Sequence, residues 1–186
     1  MKTTLCTMAL VMWIGIAPGV VSEELASVIQ ASFSDKGQAT LLRLEQDPLQ
    51  QHCSQPRGQP ADKPTAMTLR QQRLDAVVFP TDGDFLGDWR RGAAVAASGR
   101  GLQFNDDPSI ANGGNCYACH QLAPSEVAYG TLGPSLTDYG LRGQSDAMLR
   151  YTWTKLWDTH AFNLCSHMPR FGAQKILDEQ QLKDVM

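Results

Sequence analysis

The sequence has no large excess of charge of either sign and no apolar run long enough to cross a membrane. Its 186 residues include 16 basic and 19 acidic side chains, a formal net charge of −3. Surfaces that bind nucleic acid or anionic lipid need a basic excess, so we expect neither kind of partner. The uncharged apolar run from Leu5 to about Ile16 is shorter than the roughly 20 apolar residues of a spanning helix, so we expect no membrane span.

Long stretches that alternate apolar and polar residues are also missing, which argues against a β-sheet. Apolar residues recur instead at helical spacing in residues 84–98, 145–162 and 177–186. This pattern predicts an all-α fold in which the first and last of these helices cross each other.

Polar residues and glycines at the ends of these segments predict where each helix begins and stops. The first helix is expected to start at Thr81, Asp82 or Asp84 and to end at Gly99 or Gly101. Ser145 is the expected cap of the second helix, and Asp178 with Gln181 forms a capping box for the third. The expected apolar stripes are Leu86, Trp89, Ala93, Ala96 and Ala97 in the first helix, and Leu149, Trp153, Leu156 and Trp157 in the second.

The first residues have the layout of a secretory signal peptide. Lys2 precedes the apolar run, small residues follow it as far as Ser22, and acidic residues begin at Glu23. We therefore expect export, with residues 1–22 as a signal peptide that is cleaved after Ser22. Cys6 would suggest a lipid-modified cysteine, but it lies very near the start and before the apolar run. Cleavage removes one basic residue and no acidic one, so the net charge becomes −4.

Residues 23–80 form an N-terminal extension ahead of the first predicted helix of the domain. Short helical patterns occupy residues 35–53, ending near Pro48, and residues 65–80. The stretch 54–64 between them is rich in proline, glycine and charge and reads as a loop. The extension lacks a large core of its own, so we expect it to pack either on the domain or on a partner.

Cys116, Cys119 and His120 form C-x-x-C-H, the attachment signature of a c-type haem. The two thiols can bond the two vinyl groups of one porphyrin, and the histidine that follows can reach the iron from one face. A zinc site would need further paired ligands, and a thioredoxin-like motif would follow a buried strand. Neither context surrounds this motif in the sequence. We therefore expect one covalently attached haem c.

The segment GTLGPSL, residues 130–136, lies a short loop beyond the motif. The carbonyl group of Pro134 can accept a hydrogen bond from the Nδ1–H group of His120, and such a bond would fix the imidazole ring. The segment can equally be an ordinary turn. Both interpretations stay open from the sequence.

The stretch NLCSHMPRFG, residues 163–172, offers the second axial ligand of the iron. Met168 precedes Pro169, which favours an extended backbone, and a thioether ligand raises the potential of haem iron. His167 would then point to the opposite side of the chain from Met168. The predicted iron ligands are His120 and Met168, with His167 and His160 as alternatives.

Two cysteines, Cys53 and Cys165, remain once the haem motif is assigned. In an oxidising compartment a disulfide between them is the simplest expectation, and it would tie the extension to the loop that carries Met168. The alternative is two unpaired thiols, one of them free to bond another molecule.

The blocks LRYTWTKLWDTHAFNLCSHMPRFG and GTLGPSLTDYGLRG, together with the haem motif, resemble the SoxX family. Its members are the monohaem cytochrome subunits of the periplasmic SoxAX complexes of sulfur-oxidising bacteria. The resemblance covers about residues 80–186 and implies a small class I-like cytochrome c domain over residues 81–186, with His120 and Met168 as iron ligands. It also implies a C-terminal helix longer than the residues after Asp178 allow, so we expect the last helix to be truncated.

The resemblance further implies the electron-transfer subunit of an L-cysteine S-thiosulfotransferase. Such a complex joins thiosulfate oxidatively to a cysteine of a SoxYZ-type carrier protein. The chain would form a heterodimer with a SoxA-like cytochrome subunit and pass electrons to a soluble cytochrome c in the periplasm. No catalytic acid, base or nucleophile is expected in this chain.

Two other functions stay open: a stand-alone periplasmic electron shuttle, and a haem-based sensor with one axial position free. Five side chains could bind the haem propionates, face a partner or simply be solvated: Tyr139, Arg142, Arg150, Lys155 and Arg170.

Overall fold

The computed structural model of the chain describes residues 20–54 and 62–186, with side chains from Glu24 onward in the first range. The predicted signal peptide and the loop at 54–64 therefore lie largely outside the described residues. The chain divides into two compact units, Met1–Ser34 and Asp35–Met186. The first unit contains helix α1, Val20–Ser32. None of the helices in the described ranges combines the length and hydropathy that a membrane crossing requires.

The regular secondary structure of the second unit is helical, and loops and turns join its helices. Its helices are α2 Pro48–Cys53, α3 Lys63–Asp75, α4 Trp89–Ser98, α5 Asp146–Asp158 and α6 Glu179–Val185. Short 3-10 turns occupy Leu41–Leu44, Cys116–Ala118, Tyr139–Arg142 and Thr159–Ala161. The described part of the chain contains no β-strand, so the prediction of an all-α fold is confirmed.

Helix α4 begins later than the sequence analysis expected. It starts at Trp89. The side chain of Asp88 caps it by accepting hydrogen bonds from the backbone N–H groups of Arg90 and Arg91. The predicted caps in residues 81–84 are therefore wrong. The predicted end is right, because Gly99 closes the helix in the left-handed conformation, with φ of +59°.

The predicted apolar face of α4 is right at Ala96 and wrong at Trp89, Ala93 and Ala97. Trp89 is 69% exposed and Ala93 is exposed, whereas Gly92 and Ala96 are buried. The buried face consists of small residues because α6 lies directly on it. A Cβ atom added to Gly92 would overlap the carbonyl group of Asp184. Backbone proximity, which no apolar pattern records, therefore decides which side of α4 faces inward.

Polar contacts close the junction between α4 and α6. The N–H group of Gly87 donates to the carbonyl oxygen of Lys183 at 2.8 Å, and that of Asp88 donates to the Asp184 carboxylate at 2.8 Å. The Nε–H and Nη2–H groups of Arg91 donate hydrogen bonds to the two oxygens of the same carboxylate, at 2.7 and 2.8 Å. These Arg91 bonds hold the pKa of Asp184 well below its usual range, although partial desolvation opposes the shift. The first and last helices of the domain thus pack on each other, as predicted.

Helix α5 supplies the centre of the core. Its Trp153 packs in a buried cluster, and its Nε1–H group donates to the carbonyl oxygen of Val78 at 2.8 Å. Ser145 caps the helix through the N–H group of Met148, so the predicted cap is confirmed. The predicted apolar stripe of α5 also packs into or against the cluster. The other buried members of the cluster are Phe85, Phe171, Leu177 and Leu182.

Helix α6 is short but firmly capped. Asp178 and Gln181 form the predicted capping box, in which each side chain accepts a hydrogen bond from the backbone of the other residue. Leu182 is completely buried one turn later. The local cap and the single deep anchor keep the last seven-residue helix in place against α4 and the core.

The extension from residue 35 onward packs within the same compact unit as the domain. Leu49 of α2 and Leu69 of α3 are buried, and the Arg70 side chain donates to the carbonyl oxygen of Ala161 at 3.1 Å. Pro48 opens α2 instead of ending a helix as expected. The reason is that proline fits the first helical turn, where its missing N–H group is not needed.

We expect Gly92→Ala to lower the free energy of unfolding by about 1–3 kcal/mol, because the new methyl group would overlap the backbone of α6. Helix propensity alone favours alanine by about 1 kcal/mol, so a net loss must come from that overlap. Urea denaturation of both proteins measures the difference. Gly140→Ala is the matched control, because a Cβ atom at Gly140 meets nothing within 4 Å. Equal losses in the two variants would contradict the explanation.

Candidate haem-binding site

The haem motif is folded into one tight turn. Residues Cys116–Ala118 form a 3-10 turn. The backbone N–H groups of Cys119 and His120 both donate to the carbonyl oxygen of Cys116, at 3.1 and 2.9 Å. Because these bonds wrap the chain round one carbonyl group, both thiols and the imidazole project from a single turn of backbone.

The segment 130–136 runs alongside this turn and is bonded to it at three points. Gly130 donates to Tyr117 at 2.8 Å, Gly133 donates to Cys119 at 2.8 Å, and the N–H group of Leu136 donates to Gln121 at 2.7 Å. The loop between the two stretches is therefore closed on itself by backbone hydrogen bonds. The position of Pro134 relative to the motif is fixed by these bonds rather than left to a free turn.

The imidazole of His120 is held by that segment. Its Nδ1 atom lies 2.7 Å from the carbonyl oxygen of Pro134. A carbonyl oxygen can only accept, so Nδ1 carries a proton, and in the neutral imidazole Nε2 then keeps a free lone pair. A Cβ atom on Gly133 would overlap the ring, so glycine lets the backbone lie directly against it. Of the two interpretations left open for this segment, the structure contains the one with the Pro134 hydrogen bond.

The two thiols of the motif are half-buried, and neither belongs to a disulfide. Burial raises the pKa of the Cys116 thiol, and the neighbouring Cys119 adds to the shift. The raised pKa favours the thiol form of Cys116 over the reactive thiolate at neutral pH. Within the described residues, no group of three or more His, Cys, Asp or Glu side chains is arranged to hold a metal ion.

Three apolar side chains that follow the motif in the sequence lack protein cover. Val127 is fully exposed, Leu132 is 70% exposed and Leu141 is 85% exposed. Apolar surface of this kind commonly marks a place where another group binds. Two thiols, an imidazole with a free lone pair and uncovered apolar side chains in one stretch of chain fit a covalently attached porphyrin.

Met168 lies apart from this turn, in the loop that leads into the core. Its half-buried side chain packs against the buried cluster around Trp153 and Phe171. The neighbouring His167 is exposed, in keeping with the prediction that the two side chains point to opposite sides. The structure therefore brings Cys116, Cys119, His120 and Pro134 together and places Met168 on a separate element.

The loop that carries Met168 is tied to the extension. Cys53 at the end of α2 and Cys165 form a disulfide, with their Cα atoms 5.5 Å apart. Close by in sequence, Arg170 is buried and bonds the carboxylate of Asp47 at 2.7 Å. Arg73 approaches the same carboxylate at 3.3 Å. Arg170 is thus engaged within the chain, and the interpretations of it as a solvated charge or as a contact for haem or partner are wrong.

Comparison with known proteins gives one family relationship. No protein-family model matches the chain. The chain is 31% identical over 143 residues to an uncharacterized lipoprotein of Aquifex aeolicus (strain VF5), across 76% of this chain and 68% of the relative. This chain belongs to the same family as that lipoprotein. The name of the Aquifex protein states no cofactor, reaction or partner.

Sequence reasoning missed two features beside the site. Asp47 is both the cap of α2 and the carboxylate that receives Arg170, and the Asp-Pro pair at 47–48 was the available signal for the cap. The buried His160 bonds the loop that carries Met168, and no sequence pattern announced that contact. Both features join segments that are distant in the chain or turned back on themselves.

We expect the double variant Cys53→Ser/Cys165→Ser to lose about 2–4 kcal/mol of unfolding free energy, because the disulfide joins residues 112 apart in sequence. Urea denaturation with and without a reducing agent measures the effect. The reductant should bring the wild-type protein down to the stability of the double variant and leave the variant unchanged. Equal stability of the two proteins without reductant would contradict the prediction.

Proposed function

We propose that this chain is an exported c-type cytochrome of the SoxX type, an electron-transfer subunit that carries one haem c. The observation that carries the proposal is the single turn of Cys116, Cys119 and His120, with His120 oriented by the Pro134 carbonyl group. The name of the Aquifex relative, a lipoprotein, supports export of this chain. The signal-peptide layout of residues 1–22 supports a periplasmic location.

Each residue of the site has a defined task in this proposal. Cys116 and Cys119 would anchor the porphyrin through thioether bonds, and His120 would bind the iron through Nε2. The Pro134 carbonyl group fixes the tautomer and raises the basicity of the imidazole, as second-shell acceptors do for metal-bound histidine. Bound haem supplies one-electron redox chemistry. The chain itself would hold that group and orient it.

Met168 is the proposed second axial ligand. Pro169 follows it and keeps the loop out of a helix, and the core behind the loop gives Met168 a firm support. Of the alternatives, His167 is exposed, and His160 is buried with its Nε2 atom engaged by Ser166. A thioether raises the reduction potential, which suits a protein that receives electrons.

The proposed reaction takes place at the partner subunit. A SoxA-like cytochrome would join thiosulfate to a cysteine thiol of a SoxYZ-type carrier, with formation of a sulfur–sulfur bond and loss of one proton and two electrons. One haem holds one electron, so this chain would be reduced twice per coupling or share the load with another centre. It would pass the electrons to a soluble cytochrome c. No residue of this chain is assigned a catalytic role.

A stand-alone periplasmic electron shuttle is the second candidate, and one observation favours it. The extension was expected to pack on the domain or on a partner. From residue 35 onward it packs within its own unit, through the disulfide, the Asp47–Arg170 pair and buried Leu49. This part of the extension is thus not a free arm reserved for a partner.

We expect the oxidised holoprotein to show the weak near-infrared band of a methionine–ferric bond and to lose it in Met168→Ala. The reduction potential should fall in the same variant, because the thioether favours ferrous iron. Met67→Ala is the matched control, since Met67 is 72% exposed on α3. A band that persists in Met168→Ala would rule out the ligand assignment. Carbon monoxide binding by the unmutated reduced protein would favour a sensor.

We expect the mature chain, with haem attached in a periplasm, to elute as a heterodimer with the SoxA-like protein from the same source. Gel filtration with detection of haem absorbance measures the association. Thiosulfate should then reduce this haem when the carrier protein is also present. A clean monomer from well-folded protein would contradict the stable complex and favour the shuttle.

A further inference from the structure

His160 is a buried histidine just beyond the end of α5. It lies in the 3-10 turn Thr159–Ala161 and is 8% exposed. Its backbone N–H group donates to the carboxylate of Asp158 at 3.0 Å, and Asp158 is itself buried. The Asp158 carboxylate also lies 3.9 Å from a guanidinium nitrogen of Arg73 in α3. The backbone of His160 is thus held by Asp158, the last residue of α5, independently of the contacts of its side chain.

The side chain of His160 holds the loop that carries Met168. Its Nε2 atom lies 2.9 Å from the carbonyl oxygen of Ser166. Since a carbonyl oxygen only accepts, Nε2 carries a proton and donates it. The hydroxyl oxygen of Ser166 in turn accepts a hydrogen bond from the N–H group of Met168 at 3.1 Å. Ser166 therefore accepts two hydrogen bonds: its backbone carbonyl oxygen accepts one from His160, and its side-chain hydroxyl oxygen accepts one from Met168.

The surroundings of Nδ1, the other ring nitrogen of His160, indicate which interaction the histidine contributes. The Nδ1 atom of His160 is buried and has no hydrogen-bond partner among the described residues, since the Asp158 carboxylate oxygen that faces it lies 3.9 Å away, beyond hydrogen-bond distance. An unpaired buried polar atom costs free energy that an apolar ring of similar size would not. What histidine supplies here and an apolar ring cannot is the hydrogen bond to Ser166.

We propose that His160 is a positioning residue, which sets the Met168 side chain through Ser166. The use of that side chain at iron rests on the proposed function, whereas the fixing of the loop does not. The disulfide at Cys165 is the competing restraint on the loop. It holds the chain three residues before Met168 and makes no bond to the Met168 N–H group, which Ser166 binds.

The test compares His160→Phe with His160→Gln in the holoprotein. Phenylalanine keeps a ring and removes the donor, whereas glutamine can still donate to the Ser166 carbonyl group. Hydrogen exchange at the Met168 amide is measured by NMR. We expect exchange to rise up to about tenfold in His160→Phe and to stay near the wild-type rate in His160→Gln. His52→Phe, the same change at a half-buried histidine of α2, is the control and should leave the rate unchanged.

A second readout follows the iron. In His160→Phe we expect a weaker methionine–ferric band in the near infrared and a lower reduction potential, and in His160→Gln a recovery of both. If His160→Phe does not fold, His160→Met carries the same comparison, because the flexible thioether side chain adapts to irregular space.

The outcomes separate the two claims. Unchanged Met168 exchange in His160→Phe, or equal acceleration in the Phe and Gln variants, would overturn the positioning role and leave the disulfide and the Arg170–Asp47 pair as the restraints on the segment. Faster exchange in His160→Phe alone supports the role. If that result comes with a wild-type protein that lacks the near-infrared band, the assignment of Met168 to iron fails and the fixing of the loop by His160 still holds.

Discussion

The backbone contact between Gly92 of α4 and Asp184 of α6 is the constraint on which the rest of the domain depends. The contact requires glycine at position 92 of α4. It also places Leu182 of α6 where the leucine side chain completes the core around Trp153. The Arg91–Asp184 pair then closes the polar side of the junction. Helices α4 and α6 lie near opposite ends of the domain sequence. Their contact therefore fixes both ends of the chain segment that runs from α4 to α6.

A second set of restraints acts on the segment that carries Met168. The disulfide at Cys165, the buried Arg170–Asp47 pair and the His160–Ser166 hydrogen bond each hold a different point of this short segment. The first two reach into the extension, and the third comes from the end of α5. A metal ligand presented by a loop needs such support, because loops alone position side chains less accurately than helices do. The extension is therefore part of the framework of the proposed site.

The haem motif depends on contacts of a more local kind. Three backbone hydrogen bonds join segment 130–136 to the motif and to Gln121, which follows it. In a fourth hydrogen bond the Nδ1–H group of His120 donates to the Pro134 carbonyl oxygen. These bonds orient the imidazole with its Nε2 lone pair free. The exposed Leu132 and Leu141 in the same region leave apolar surface for a further group. The two proposed iron ligands, His120 and Met168, are thus held by separate sets of contacts.

Local chemistry determined much of this structure from the sequence alone. The caps at Ser145 and Asp178, the end of α4 at Gly99, the stripe of α5 and the all-α class follow from interactions within a few residues, which the order of side chains records directly. The C-x-x-C-H motif is local in the same way, and its use for haem attachment stays a prediction. Only the tertiary structure decided that Trp89 faces outward, because the close approach of α6 favours the small residues of α4. It also decided that Arg170 is buried against Asp47 and that His160 bonds Ser166, since each contact depends on how distant or reversing segments meet.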